Sequence, residues 1–217
     1  MNEQNAPEIL ESIIKSDDLA TLAQEYGEIA VDGFLEDGAL KDIPLLGTAI
    51  KVASFGNSIS KKLFLKKVYI FLFHLQDVPA EKRAKLVEKI NKSSRFQSKI
   101  GETVFEILDR IESEGKPKVI GKLFAAVLNQ DLDYLDFLRL SHIVQNQFYF
   151  DLVELKNHTD DDLVKGLEIN NSLSMSGLTS TDFAASVNDV LEDKDKPDTY
   201  TSLTKYGKLL VKIGFSS

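Results

Sequence analysis

Cysteine is absent from this chain of 217 residues, which excludes disulfides, thiolate zinc sites and cysteine nucleophiles and fits a reducing compartment. Proline is scarce, at five residues, and no low-complexity tract occurs, so only the first few residues, the last two and one short acidic loop read as disordered. Uninterrupted hydrophobic runs are missing as well, since a membrane span needs about 18 or more consecutive apolar residues. The nearest approach is residues 43–60, where Lys51 is the only charge. Thr48, Ser54, Asn57, Ser58, Ser60 and two glycines make it poor hydrocarbon filler. The opening "MNEQNAPEILESIIKSDD" places acids where a signal peptide needs basic residues ahead of an apolar core, so export by that route is not expected.

Recognisable catalytic chemistry is also lacking. Histidine occurs three times, at His74, His142 and His158, without the His-Glu-x-x-His spacing of a zinc site. The stretch "NQDLDYLDFLRL" starts like a calcium loop with Asp131 and Asp133. Tyr134 then stands where the turn needs glycine, and Leu140 where a bidentate glutamate belongs. No Gly-x-Gly-x-x-Gly, Walker or Gly-x-Ser-x-Gly pattern is present to cradle phosphate or raise a serine nucleophile. Nothing selects one carboxylate pair among the 34 acids as acid and base. No catalytic, cofactor or metal site is predicted, and an enzyme is not expected.

What the chain does have is 43% hydrophobic content, ample for a core, and charge that is segregated along its length. Residues 1–42 carry a net −9, whereas residues 43–101 carry +9, with three acids among twelve bases, in a protein whose total is −8. Residues 43–76 contain no acid at all. A basic block in an acidic protein has two readings: it pairs internally with the acidic amino-terminal segment, or it meets an anionic partner. The candidate contacts for such a partner are Lys51, Lys61, Lys62, Lys66, Lys67, Lys82 and Arg83. Nucleic acid is the weaker anionic partner, because the remaining 158 residues carry −17 and would repel phosphate.

Periodicity predicts helices almost throughout. Asp17 or Asp18 starts one that carries Leu19, Leu22, Ala23, Tyr26, Ile29 and Ala30 on one face. Pro44 suits the first turn of a second, in which Ala49, Ala53, Gly56 and Ser60 form a seam of small residues for close helix packing. Leu63 to Leu75 is apolar on every side, the mark of a buried central helix. "VPAEKRAKLVEKIN" follows with Leu86, Val87 and Ile90 facing inward. In "ETVFEILDRIESEG", Val104, Ile107, Leu108 and Ile111 share a face and Gly115 ends the helix. "KPKVIGKLFAAVLNQ" is a short helix, and "DLDYLDFLRLSHIVQNQFYFDLVELKN" one long helix or two. The predicted fold is mainly α: a helical bundle over residues 1–146, then a small α+β module over residues 147–217.

That last part runs from a helix containing Leu173, through Gly177 and Leu178, into β-compatible "DFAASVNDVL", an acidic turn "EDKDKPD", and "TYTSLTKYGKLLV". Leu203, Thr204 and Gly207 fall where a strand enters Leu-Thr and a glycine follows before a final helix. In these residues the segment resembles the carboxy-terminal part of a winged-helix domain, although Thr201 stands where a large residue is commoner. "TDFAASVNDVL" can alternatively be read as a helix capped by Thr181 or Asp182. The resemblance implies a two-stranded wing and a recognition helix near residues 160–176. That helix would begin with Asp160, Asp161 and Asp162 and offer Lys165 as its cation, so DNA binding does not travel with the likeness. The basic apolar tract with this ending also resembles helical bacterial proteins, some of them tied to phage defence, which implies a bacterial cytosol.

The expected function is therefore a non-enzymatic interaction or regulatory protein of the cytoplasm that docks a protein partner or forms a homo-oligomer. The alternative is a membrane-surface effector, peripheral to the inner membrane, that grips anionic lipid through residues 43–76. A DNA-binding regulator is the lesser alternative.

Overall fold

A computed structural model describes residues 5–19, 59–112, 115–156, 170–183 and 199–216. The chain divides into two compact units, residues 1–137 and 138–217. The division lies inside a helix, nine residues ahead of the expected boundary at residue 146. Among the described residues the chain is mainly helical, with a single two-stranded antiparallel sheet. The expected helix from Asp17 to Ala30, apart from its first residues, and the small-residue seam ahead of Ile59 lie outside the described residues.

In the first unit, α1 (Ala6–Lys15) is set by a capping box: Asn5 Oδ1 accepts from the Glu8 N–H at 3.0 Å, and Glu8 Oε2 accepts from the Asn5 N–H at 3.2 Å. Ile9, Leu10, Ile13 and Ile14 are buried against α3 (Ala80–Asn91) and α4 (Ile100–Arg110). Between them in sequence, α2 (Ile59–Phe73) buries Leu65, Val68, Tyr69, Phe71 and Leu72. It packs on α5 (Lys116–Asn129), which buries residues round most of its circumference. Gly121 permits that crossing, because a Cβ there would lie 2.9 Å from the Phe71 carbonyl oxygen and 3.0 Å from His74 Cβ.

Gly115 does not end α4, which stops at Arg110 with Ile111 as its C-cap. It stands instead before α5 at φ 72°, a conformation that favours glycine. The long amphipathic stretch after Gln130 is two helices, α6 (Tyr134–Asn146) and α7 (Tyr149–Leu155). Asp133 Oδ1 accepts from the Leu135 N–H at 2.8 Å, so an acid of the failed calcium loop serves as a local cap.

Glu11 joins three helices of the first unit. Its carboxylate accepts from Lys15 Nζ at 3.1 Å and Asn91 Nδ2 at 3.0 Å, while Asn91 Oδ1 accepts from the Ile100 N–H at 2.8 Å at the start of α4. Burial alone pushes the Glu11 carboxyl up. The hydrogen bonds from Lys15 and Asn91, the Lys15 charge and the backbone of Gly101 outweigh that and hold it below its ordinary 4.5. A depressed folded-state pKa contributes stability that is present in full above 4.5 and is lost as pH falls through the folded value. Urea titrations across this acid range are expected to show a shallower loss of stability for Glu11→Gln than for the parent. Equal slopes would remove Glu11 from the acid response.

In the second unit, α8 (Asn170–Met175) closes with Gly177 at φ 78° and with Leu178 N–H donating to the Leu173 carbonyl at 2.9 Å. Strands β1 (Thr179–Phe183) and β2 (Thr199–Leu203) then pair antiparallel, Thr179 opposite Leu203 and Phe183 opposite Thr199. The first strand starts three residues before the β-compatible stretch, and the expected acidic turn lies outside the described residues. Thr204 caps α9 (Lys205–Leu209), accepting from the Gly207 N–H at 3.2 Å and donating to the Gly177 carbonyl at 2.6 Å. Gly207 lies against the Leu178 carbonyl, which a Cβ would overlap. Leu173, Leu178, Leu203 and Leu210 form the small core.

Candidate interaction surfaces

Of the seven cations singled out in the sequence, the four whose side chains are described do not share one face. Lys51 lies outside the described residues, and Lys61 and Lys62 are placed only as backbone in the first turn of α2. Lys66 and Lys67 are half-buried, and Lys67 Nζ donates to the Asp109 carbonyl at 3.2 Å. Burial lowers the Lys67 pKa, against the raising influence of Asp109 and Glu112, as expected of an ammonium partly removed from water. The helix that carries them is interior: Phe71 is fully buried, and the half-buried Phe64 packs on Phe105 with ring centroids 4.9 Å apart.

Arg83 is a correction. It is 2% exposed and cannot meet an external anion. Its Nε donates to the Ile14 carbonyl at 2.7 Å, Nη1 to the Val78 carbonyl and Nη2 to the Ser16 carbonyl. The guanidinium thus closes the end of α1 onto the turn before α3. This is the clearest place where the basic middle and the acidic amino-terminal segment meet inside the fold, and it does so through carbonyls.

Lys82 remains at the surface. Its Nζ donates to Asn129 Oδ1 at 2.9 Å, at the carboxy-terminal end of α5. It lines a cleft of about 360 Å³ with Pro79, Glu81, Lys85, Leu86, Lys89, Leu128 and Gln130. Lys85 and Lys89 are exposed, and neither forms a hydrogen bond or ion pair among the described residues.

The second unit presents a different surface. At the junction of α6 and α7, Phe148 is 63% and Phe150 57% exposed, with ring centroids 5.4 Å apart. Met175, at the end of α8, is 90% exposed. It borders a cleft of about 580 Å³ with His142, Ile143, Asn146, Gln147, Ser172 and Ser176. Ser172 Oγ donates to Gln147 Oε1 at 2.8 Å, so α8 is tied to the residue directly before Phe148. Two adjacent phenylalanines and a methionine left in water are unfavourable for a free surface and are residue types enriched at protein interfaces. Sequence reading missed them because "NQFYFDL" has the composition of a core segment. The local signal was Asp151 and Glu154 alternating with the apolar residues after Phe148.

Among the described residues, no group of three or more histidines and acids is placed to hold a metal ion. None of their helices is long and apolar enough to cross a membrane. No family model, curated protein or solved structure matches this chain.

Proposed function

We propose that this protein is a non-enzymatic interaction protein that docks a protein partner on the second unit, through the surface carrying Phe148, Phe150 and Met175. The observation that carries the reading is the exposure of Phe148 and Phe150 side by side. Rings of that size contribute about 1.5–3 kcal/mol each when a partner removes them from water. The surrounding charge favours protein over bilayer, because Asp151 and Glu154 of α7 outnumber the single cation at its C-cap, Lys156, and leave nothing there to attract an anionic membrane.

The second unit is read as a winged-helix-like module serving protein contact. The element order of helix, two antiparallel strands and helix among the described residues supports that reading, as do Leu203, Thr204 and Gly207 at the end of β2. Its acidic recognition segment argues against duplex DNA.

The test compares the parent with Phe148→Ser/Phe150→Ser by light scattering and by capture from the host extract. Both side chains lie in water, so the melting temperature should hardly change. The expected result is a stoichiometric partner, or a second copy, retained by the parent and lost by the variant. A parent that stays a monomer and retains nothing, or a complex indifferent to the substitutions, sinks the reading. Co-sedimentation with anionic vesicles that depends on the two rings would replace it with the membrane alternative.

A further inference from the structure

The cleft between α3 and the end of α5 belongs to the first unit, and the aromatic surface to the second. Lys82, Lys85 and Lys89 occur at i, i+3 and i+7 on α3, a spacing that sets them along one helix face. The half-buried Leu86, on the same face, supplies an apolar floor backed from beneath by the fully buried Leu128 of α5, and Pro79 closes one end. Asn129 holds Lys82 over the carboxy-terminal end of α5, where a cation is favoured.

Lys85 and Lys89 have no such tether among the described residues, and Glu81, one turn before Lys85, is the acid that shares the cleft with them. Glu88, the acid nearest in sequence, is engaged by Lys92 at 2.9 Å. Glu81 lies at the Pro79 end of the rim, and Asp131 follows Gln130, so the positive character is concentrated toward Lys85 and Lys89.

We propose that this cleft is a docking site for an acidic peptide segment of a partner protein, one apolar side chain seated on Leu86 beside Pro79 and flanking carboxylates on Lys85 and Lys89. Charge complementarity selects the acids, and the floor selects the apolar anchor. A cleft of about 360 Å³ accepts one large side chain with adjoining backbone, so the contact is a short linear segment and not a broad interface. Phosphate alone would leave the floor uncovered, and a bilayer surface is too flat to enter the cleft.

The test is fluorescence anisotropy with the full chain and a labelled peptide of about twelve residues built from glutamate and leucine in helical spacing. Micromolar binding is expected, weakened by added salt and absent for the same peptide with lysine in place of glutamate. Lys85→Glu/Lys89→Glu should weaken it at least about tenfold, and Leu86→Ser about fivefold, since each removes a separate part of the recognition. The lysines are exposed, so an unchanged melting temperature for the double variant verifies the fold. Absence of binding overturns the proposal. So does equal affinity for a peptide with serine in place of leucine, which would reduce the site to charge attraction. Capture by phosphatidylserine vesicles lost in the same lysine variant assigns the lysines to lipid and overturns it too. None of these outcomes depends on Phe148 or Phe150, so this site and the aromatic surface stand or fall separately.

Discussion

Arg83→Met is expected to lower the unfolding free energy by about 3–5 kcal/mol, a third or more of what a domain of this size ordinarily has. Methionine fills most of the volume but donates nothing, so carbonyls of Ile14, Ser16 and Val78 lose the donor they now share. Each is a main-chain acceptor in or beside the interior, and an unpaired one there costs about 1–3 kcal/mol. The carbonyls of Ile14 and Ser16 belong to the end of α1, where the helix has no internal donors left to offer. Arg83→Lys should recover part of the loss, because an ammonium keeps the charge but cannot span acceptors that diverge around a planar fork. Urea unfolding followed by far-ultraviolet circular dichroism measures both. A methionine variant as stable as the parent would mean that the α1 carbonyls reach water and that the guanidinium is a spectator.

Arg83 and Lys82 also show where sequence reasoning stops. They are neighbours in the chain and both cations, yet on a helix they point about 100° apart. The signal that separates them was available: Arg83 lies four and seven residues before Val87 and Ile90, on the buried face, whereas Lys82 aligns with Lys85 and Lys89. Composition reads the sum of charges; only the helical register assigns them to sides. The first helix was legible too, in Asn5-x-x-Glu8 with Pro7 at its start and Ile9, Leu10, Ile13 and Ile14 in the pattern that follows.

The interior character of α2 was legible for a different reason. A helix apolar on all sides has no exposed face to choose, and its burial does not depend on knowing its neighbours. Phe148 and Phe150 are the converse. Their burial depends on which element lies across from them, a long-range fact that local pattern does not hold. Gly115 was ambiguous in kind, since a glycine between two helical patterns serves equally as the end of one or the entry to the next.

Phe124→Ala is expected to cost about 3–5 kcal/mol, through lost transfer free energy and the cavity left behind. Phe124 is fully buried on α5, between Phe71 of α2 at 5.6 Å and Phe137 at 5.3 Å by ring centroids. Phe137 continues to Tyr134 at 5.8 Å, and Tyr134 to Phe96 at 4.8 Å. The substitution therefore removes the ring that links the buried central helix to the aromatic group at the start of α6. Each aromatic pair contributes about 0.5–1.5 kcal/mol beyond its area, so two such contacts vanish with one residue. Close packing of α2 on α5 at Gly121 leaves the backbone no room to collapse into the space, which places the cost toward the upper end. Phe105→Ala is the matched comparison: Phe105 pairs with Phe64, both are half-buried, and water can replace part of what is lost. Calorimetry should rank Phe124→Ala well below Phe105→Ala in melting temperature. Equal losses would mean that α5 yields around position 124 as readily as the rim does, and that the first unit is held by burial spread evenly and not by this chain of rings.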